Sequence, residues 1–278
     1  MSTPIPGLLL SKVSEPTSEP EYSLTEPLVV VMAQGGKRLR LGNSEYYYRG
    51  GDVLVVTAGV PVTGHFVDVH ADSPALGVGL ALRPETVAGL AGRAPSRRPD
   101  DPSALATGPA DVDLLDAVVR MVRLVDRPAD VAVLAPLLEQ EIVWRVLTGP
   151  HGAAARRIGL ADSDLTHVSR AIGWIRDNSA EPLRVDDLAR LSGMSASAFH
   201  RHFRHVTHMS PLQFQKHIRL QRARTLLAAH PGDVAGIGHR VGYGSPSQFN
   251  REYRRQFGAP PGRDATRLRR GAVAARLP

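Results

Sequence analysis

In residues 195–206, SASAFHRHFRHV, a helix turning about 100° per residue puts Phe199 and Phe203 on one side. Ser197, His200, Arg201 and Arg204 fall in a sector opposite them. Residues 245–257, SPSQFNREYRRQF, repeat the arrangement: Phe249 and Tyr253 share one side, Ser247, Asn250, Arg251 and Arg254 point away, and Gln248 and Arg255 lie on the flank. The stretches match at a shift of 50, pairing Ser197 with Ser247, Phe199 with Phe249, Arg201 with Arg251, Phe203 with Tyr253 and Arg204 with Arg254. These are side chains that exchange hydrogen bonds, not a nucleophile with its base. A guanidinium fork fits guanine O6 and N7, and a glutamine amide fits adenine N6 and N7. An arginine elsewhere on such a helix meets phosphates, which adds affinity without sequence choice. The pattern assigns Ser197, His200 and Arg201 to base edges in one groove, Ser247, Gln248 and Arg251 to the next, and Arg204, Arg254, Arg255 and Lys216 to phosphates. A single face of this kind is weak evidence, since solvated arginines on a structural helix imitate it. Two copies on one wheel are much stronger.

Other reactive groupings are incomplete. The chain has no cysteine, which removes disulfides, thiolate metal sites, thiol nucleophiles and the acceptor thiol of a DNA-repair methyltransferase, and suits a reducing cytosol. His200, His202, His205 and His208 crowd the first stretch, but His200 and His205 do not share a face well, so no zinc site is expected there. Near phosphates such histidines would make affinity depend on pH. His65 and His70 are five residues apart in strand-like sequence and point to opposite faces, and Glu45 and Asp68 do not complete a metal set. No catalytic residue, metal or cofactor is expected. Tyr46, Tyr48 and His65, beside Tyr47 and Phe66, are the candidates to line a small-ligand pocket.

Elements that would position the two faces surround them. Leu188 and Leu191 form a short apolar stripe ahead of Gly193, where a left-handed residue closes a helix without steric cost, and Ser195 caps the next helix. Val234, Ile237 and Val241 form the second stripe, ahead of Gly242. Ser245, Pro246 and Gln248 then supply an N-cap, a proline at the first helical position and a capping-box glutamine. Gly236 and Gly238 interrupt this stripe at about 1 kcal/mol each relative to alanine. Between the motifs, Ser210-Pro211-Leu212-Gln213 is another capping box, and Phe214, Ile218, Leu220, Ala223, Leu226 and Leu227 give a long apolar face. A helix of roughly 18 residues rises about 27 Å, against ~34 Å between successive major grooves on one side of B-DNA. Both heads reach adjacent grooves if the duplex bends or one head sits shallowly.

The rest of the chain has a different texture. Residues 28–82 read as short strands punctuated by Gly35-Gly36, Gly42-Asn43, Gly50-Gly51 and residues 61–64, a sandwich or small barrel. Residues 1–26 read as a loose arm or an extended edge segment, 85–91 as a turn of helix, and 94–111, APSRRPDDPSALATGPAD, as a surface loop. Apolar stripes from Leu114 to Val125 and from Leu134 to Val146 make an antiparallel helical hairpin, a possible contact between two copies. Residues 162–270 hold 18 Lys and Arg against 9 Asp and Glu, about +9, while the remainder is about −2 of a net +7. That asymmetry suits a polyanion-binding half joined to one with another task. No apolar run approaches the ~20 residues of a membrane span, and MSTPIPGLLLSKVSEP lacks the basic start of a signal peptide, so a cytoplasmic location is expected.

Residues 165–265 resemble the double helix-turn-helix DNA-binding domain of AraC/XylS-type transcription regulators. The resemblance is carried by LARLSGMSASAFHRHFRHVTHMSPLQFQKHIRLQRARTLL and IGHRVGYGSPSQFNREYRRQFGAPPGRD, most specifically by the run GYxSxSQFxREYxRxFGxxP. YYYRGGDVLVVTAGVPVTGHFVDVHADSPALGVGLAL is similar to the cupin-type N-terminal domain of one subgroup of that family, by texture more than by fixed residues. The first motif departs from the family at its start, where Arg184-Val185 stands in place of the usual Ser or Thr cap; Asp186 and Asp187 still favour the helix dipole. The resemblance implies a two-domain α+β chain. A cupin-like β-barrel over 1–110 would sense a small molecule or mediate dimerisation, followed by a helical hairpin and linker over 111–160, an all-α double helix-turn-helix domain over 161–270 and a tail over 271–278. It implies a transcription regulator, activator or repressor, and not an enzyme. Its partners would be double-stranded promoter DNA, a small-molecule effector, RNA polymerase if it activates, and a second copy of the chain, with no membrane. The alternatives are a cupin oxygenase or isomerase fused to a DNA-binding domain, which stoichiometric metal would favour, and an architectural protein, which sequence-indifferent binding would favour.

Overall fold

The computed structural model describes residues 3–15, 20–95, 103–160, 163–230 and 232–274. Among them the N-terminal half holds nine strands: β1 (Leu8–Val13), β2 (Glu21–Leu24), β3 (Leu28–Gln34), β4 (Gly36–Leu41), β5 (Ser44–Arg49), β6 (Asp52–Val56), β7 (Pro61–Val67), β8 (Ala75–Ala81) and β9 (Leu105–Pro109). They form two antiparallel sheets, ordered β1-β8-β3-β6-β9 and β2-β7-β4-β5. Alternation sets their faces: in β4, Leu39 and Leu41 are buried while Arg38 and Arg40 are exposed, and a turn through Gly42, at φ 57°, returns the chain into β5. β6 is buried on both faces, with Val53 and Val55 beside Leu114 and Val146 of the helical hairpin; Leu54 and Val56 therefore face the opposite way.

Of the sandwich or small barrel read from the texture, two sheets form, and the cupin-like β-barrel that the resemblance implied is corrected: among the described residues no ladder joins an edge of one sheet to an edge of the other. Alternation dictates a buried face, and stacked sheets satisfy that as well as a closed cylinder does. Of the two readings of residues 1–26 the extended edge segment forms, since β1 and β2 end their respective sheets; residues 1–2 and 16–19 lie outside the described residues. The surface loop expected over 94–111 is also corrected. β9 pairs along β6 from Val56↔Leu105 to Asp52↔Pro109, and Ser103 and Ala104 are buried, while residues 96–102 lie outside the described set. Pro109 is tolerated because β9 is an edge strand.

Helices α1 (Pro84–Ala91), α2 (Val112–Arg123), α3 (Pro128–Thr148) and α4 (Gly152–Gly159) follow. Asp111 caps α2 by accepting from the Asp113 N–H at 2.8 Å, and a 3-10 turn at Leu124–Asp126 leads into α3, closing the expected hairpin. Arg120 grips Glu141 across it through two bonds of 2.9 and 2.7 Å. The remaining helices form the C-terminal unit: α5 (Asp164–Asp177), α6 (Val185–Leu191), α7 (Ala196–Thr207), α8 (Pro211–Ala229), α9 (Val234–Arg240), α10 (Pro246–Phe257) and α11 (Pro261–Ala274). The helix α11 continues into the stretch expected as a tail, whose residues 275–278 lie outside the described set. No helix among the described residues is long and apolar enough to cross a membrane.

Buried apolar residues fall into two clusters. One runs unbroken from Ile5 through the sheets and the hairpin to Phe199, Phe203 and Phe214. The other, with Leu220, Ile237, Phe249, Tyr253 and Phe257, belongs to the second motif, with Tyr22 packed against it.

Candidate nucleic-acid interface

Both predicted motifs form. α6 and α7 meet at Gly193, φ +65°, and α9 and α10 at Gly242, φ +92°. The Cβ of any other residue at Gly242 would lie 2.3 Å from the Ala180 carbonyl oxygen, so that turn needs glycine for space as well as for conformation. Ser195 caps α7 by accepting from the Ala198 N–H at 3.3 Å, and Ser245 caps α10 by accepting from the Gln248 N–H at 3.4 Å. The reciprocal bond of a capping box is made at Ser210 and Gln213, opening α8. At α10 it is not: the Gln248 amide donates instead to Glu252 Oε1 at 3.3 Å. The two glycines of α9 prove to be packing positions. A Cβ at Gly238 would lie 2.9 Å from the Phe249 ring, and one at Gly236 2.3 Å from the Asp233 carboxylate that caps the helix.

Phe199, Phe203, Phe249 and Tyr253 are fully buried beneath these helices. Ser197, His200, Arg201 and Arg204 of α7 are exposed, as are Ser247, Gln248, Arg251, Arg254 and Arg255 of α10. Arg204 and Arg255 line the same cleft, so the last turns of the two helices open onto one space. Lys216 stands 3.4 Å from Glu252. Burial opposes ionisation of Glu252, but hydrogen bonds from Tyr243 and Gln248 and the charge of Lys216 outweigh it, holding the carboxyl below its usual range.

The residues that set the heads relative to each other were absent from the sequence reading. Arg219, midway along α8, donates to Ser179 O at 2.6 Å, Ala180 O at 3.1 Å and Glu181 O at 3.0 Å in the loop before α6, and to Gly242 O at 2.9 Å in the turn of the second motif. One guanidinium thus ties the first motif to the second through α8. Asp264 of α11, fully buried, accepts from Arg224 at 3.0 Å, from the Tyr253 hydroxyl at 2.7 Å and from Arg267. The only cue in the sequence was charge inside an apolar stripe, which is ambiguous without the partners some 40 positions away.

The N-terminal half touches the first recognition helix directly. The Ala104 N–H donates to Val206 O at 2.9 Å. His208, the C-cap of α7 with φ +54°, lies 3.0 Å from both Ser44 Oγ and Ser103 Oγ, and Tyr46 OH lies 2.6 Å from that Ser103 hydroxyl. Tyr46, Tyr48 and His65, the candidates to line a pocket, are not brought together. Tyr46 is drawn into this junction, Tyr48 is packed into the core, where burial raises its phenol pKa, and His65 pairs opposite Arg38 on the exposed face of β7. Among the described residues no group of three or more His, Asp or Glu is placed to hold a metal ion.

Residues 4–154 match the AraC-type transcriptional regulator N-terminus, and residues 188–267 match a helix-turn-helix domain. Curated relatives include the HTH-type transcriptional activator RhaS from Salmonella arizonae, 27% identical over 156 residues covering 54% of this chain and 56% of RhaS. RhaS from an Enterobacter species is 29% identical over 113 residues, 39% of this chain and 40% of that protein. The chain spans about half the length or less of these relatives. Among solved structures, Vibrio cholerae ToxT with an unsaturated fatty acid bound gives a TM-score of 0.60 over 95% of this chain and 97% of ToxT, at 10% identity, a likeness of fold. ToxT bound to (E)-4-(8-methylnaphthalen-1-yl)but-3-enoic acid gives 0.58 over 94% and 99%, at 8% identity. With one match running over more than half of its length and a double helix-turn-helix behind it, the chain belongs to the AraC-type transcriptional regulators.

Proposed function

We propose that this chain reads a bipartite promoter site in adjacent major grooves as a transcription activator, without enzymatic activity or cofactor. Ser197, His200 and Arg201 would meet base edges in one groove and Ser247, Gln248 and Arg251 in the next. Arg204, Arg254 and Arg255 would meet phosphates, with Lys216 shared between a phosphate and Glu252. The observation that carries this reading is the pair of capped helices, α7 burying two aromatic rings and α10 three, each leaving an arginine face exposed. Activation, and with it contact to RNA polymerase, rests on the likeness to RhaS. ToxT is seen with carboxylic acids, and by that likeness a small-molecule effector is assigned to this chain.

Selection of bound DNA from a random pool by the full chain yields the site. On that site Arg201→Ala should cost ~1–3 kcal/mol and relax preference at one position, while Arg254→Ala weakens selected and scrambled sites alike and reduces the salt slope by about one. Equal losses for Arg201→Ala on both sites would refute base reading. Val133, Leu134 and Leu137, exposed on α3, are the surface on which two copies would pair. Light scattering should then give twice the chain mass, and a single-chain mass at high concentration would remove the dimer.

A further inference from the structure

A cleft of about 980 Å³ separates the four-stranded sheet from the two recognition helices, at the upper end of the size range of small-molecule sites. Arg40 enters it from the exposed face of β4, Arg204 from the last turn of α7 and Arg255 from the last turn of α10. No Asp or Glu lines it. In other crevices Arg83 is matched with Glu139, Arg120 with Glu141 and Arg224 with Asp264, while Arg123, Arg127 and Arg222 make no ion pair among the described residues. None of the ion pairs among the described residues engages Arg40, Arg204 or Arg255: Glu45 stands opposite Arg40 in the β4–β5 ladder without an ion pair to it, and Glu252 and Asp264 are engaged by other cations. Three guanidinium groups from two domains around one concavity repel one another unless an anion joins them. His217 on the cleft wall is held below its usual pKa chiefly by burial, against its bond to the Gln213 carbonyl, with smaller contributions from the charges of Lys216, Arg255 and Arg40.

From this arrangement we infer that the cleft binds a hydrophilic multivalent anion, bearing two or more phosphate or carboxylate groups, that bridges Arg40 to Arg204 and Arg255. A guanidinium fork matches either group in two parallel hydrogen bonds. Asn43, Thr63 and Gln213 supply further polar contacts, and the apolar lining is confined to Pro61 and Met209, which suits a compact polar anion and not a long-chain acid. On the proposed reading of Arg204 and Arg255 as phosphate contacts, the anion and the duplex draw on the same side chains and each weakens the other, since coupling between two bound ligands is reciprocal.

Calorimetric titration of the full chain with pyrophosphate and with citrate, without DNA and with acetate as control, tests the site. One saturable site per chain for at least one of the two is expected, weakened at least tenfold in Arg40→Gln. Arg40 is exposed, so the variant should melt with the wild type. Absence of saturable binding, or equal binding by the variant, would overturn the assignment. Titration of the selected DNA at matched ionic strength follows. Saturating anion should weaken wild-type DNA binding at least fivefold and leave Arg40→Gln unaffected. If Arg40→Gln already loses DNA affinity without anion, the cleft belongs to the duplex backbone and the inference fails. Arg40-dependent anion binding with unchanged DNA affinity would uphold the site and refute the phosphate role of Arg204 and Arg255.

Discussion

Replacing Asp264 with alanine should destabilise the second helix-turn-helix unit by about 3–5 kcal/mol, the range observed when one partner of a buried ionic network is removed. Asp264 has no exposed surface and accepts from three groups on three helices: Arg224 of α8, Tyr253 of α10 and Arg267 of α11. Its removal leaves the Arg224 guanidinium without its carboxylate, and a buried phenol without an acceptor. Burial, and then the hydrogen bond to Asp264, raise the Tyr253 pKa, so the neutral hydroxyl is the form that must find a partner. Because the second motif has its own core, the loss should appear as an early, separate transition in denaturant, while the sheets and the first motif melt later. Asp264→Asn keeps an acceptor and should recover part of the loss. A single transition at the wild-type midpoint in Asp264→Ala would show that the network contributes nothing.

Arg219→Ala should cost about 3 kcal/mol, less than four charge-assisted bonds at ~1.5–3 kcal/mol each would suggest, because several of the freed carbonyls can turn to water. Its informative effect lies in how DNA is read. Arg219 joins the loop before α6 to the turn between α9 and α10, so it fixes the offset between the recognition helices. Wild-type affinity should fall sharply when one base pair is inserted between the half-sites. In Arg219→Ala the optimal site should weaken and the dependence on spacing should flatten. Arg219→Lys, which keeps the charge but not the fork, should fall between. A variant that melts lower yet keeps the wild-type spacing profile would reduce Arg219 to a stability residue.

What could be read from the sequence was local. The faces of α7 and α10 follow from a period of 3.6, from serine caps and from glycines at the turns, all within a few positions of each other, and they appear in the structure where the wheel put them. The hairpin of α2 and α3 was legible for the same reason. The strand β9 was not, because Gly108 and Pro109 read as breakers and its partner β6 lies some 50 residues earlier. That His65 lies on the outer face was not legible, because strand alternation says that neighbours face opposite ways without saying which way is inward. The offset of α9 from α10 illustrates the same limit. Gly236 and Gly238 carry a propensity penalty, yet Gly238 is what lets Phe249 approach, a contact that no local rule contains.

The link from Ala104 to Val206 runs between main-chain atoms. Side-chain drift at either position leaves donor and acceptor in place, so homologues of widely different composition can inherit the same mechanical tie between the N-terminal half and the first helix-turn-helix motif. Only an imino acid at position 104 deletes the donor, which makes that one site, buried and carrying nothing more than a methyl group, the place where evolution would be expected to refuse proline.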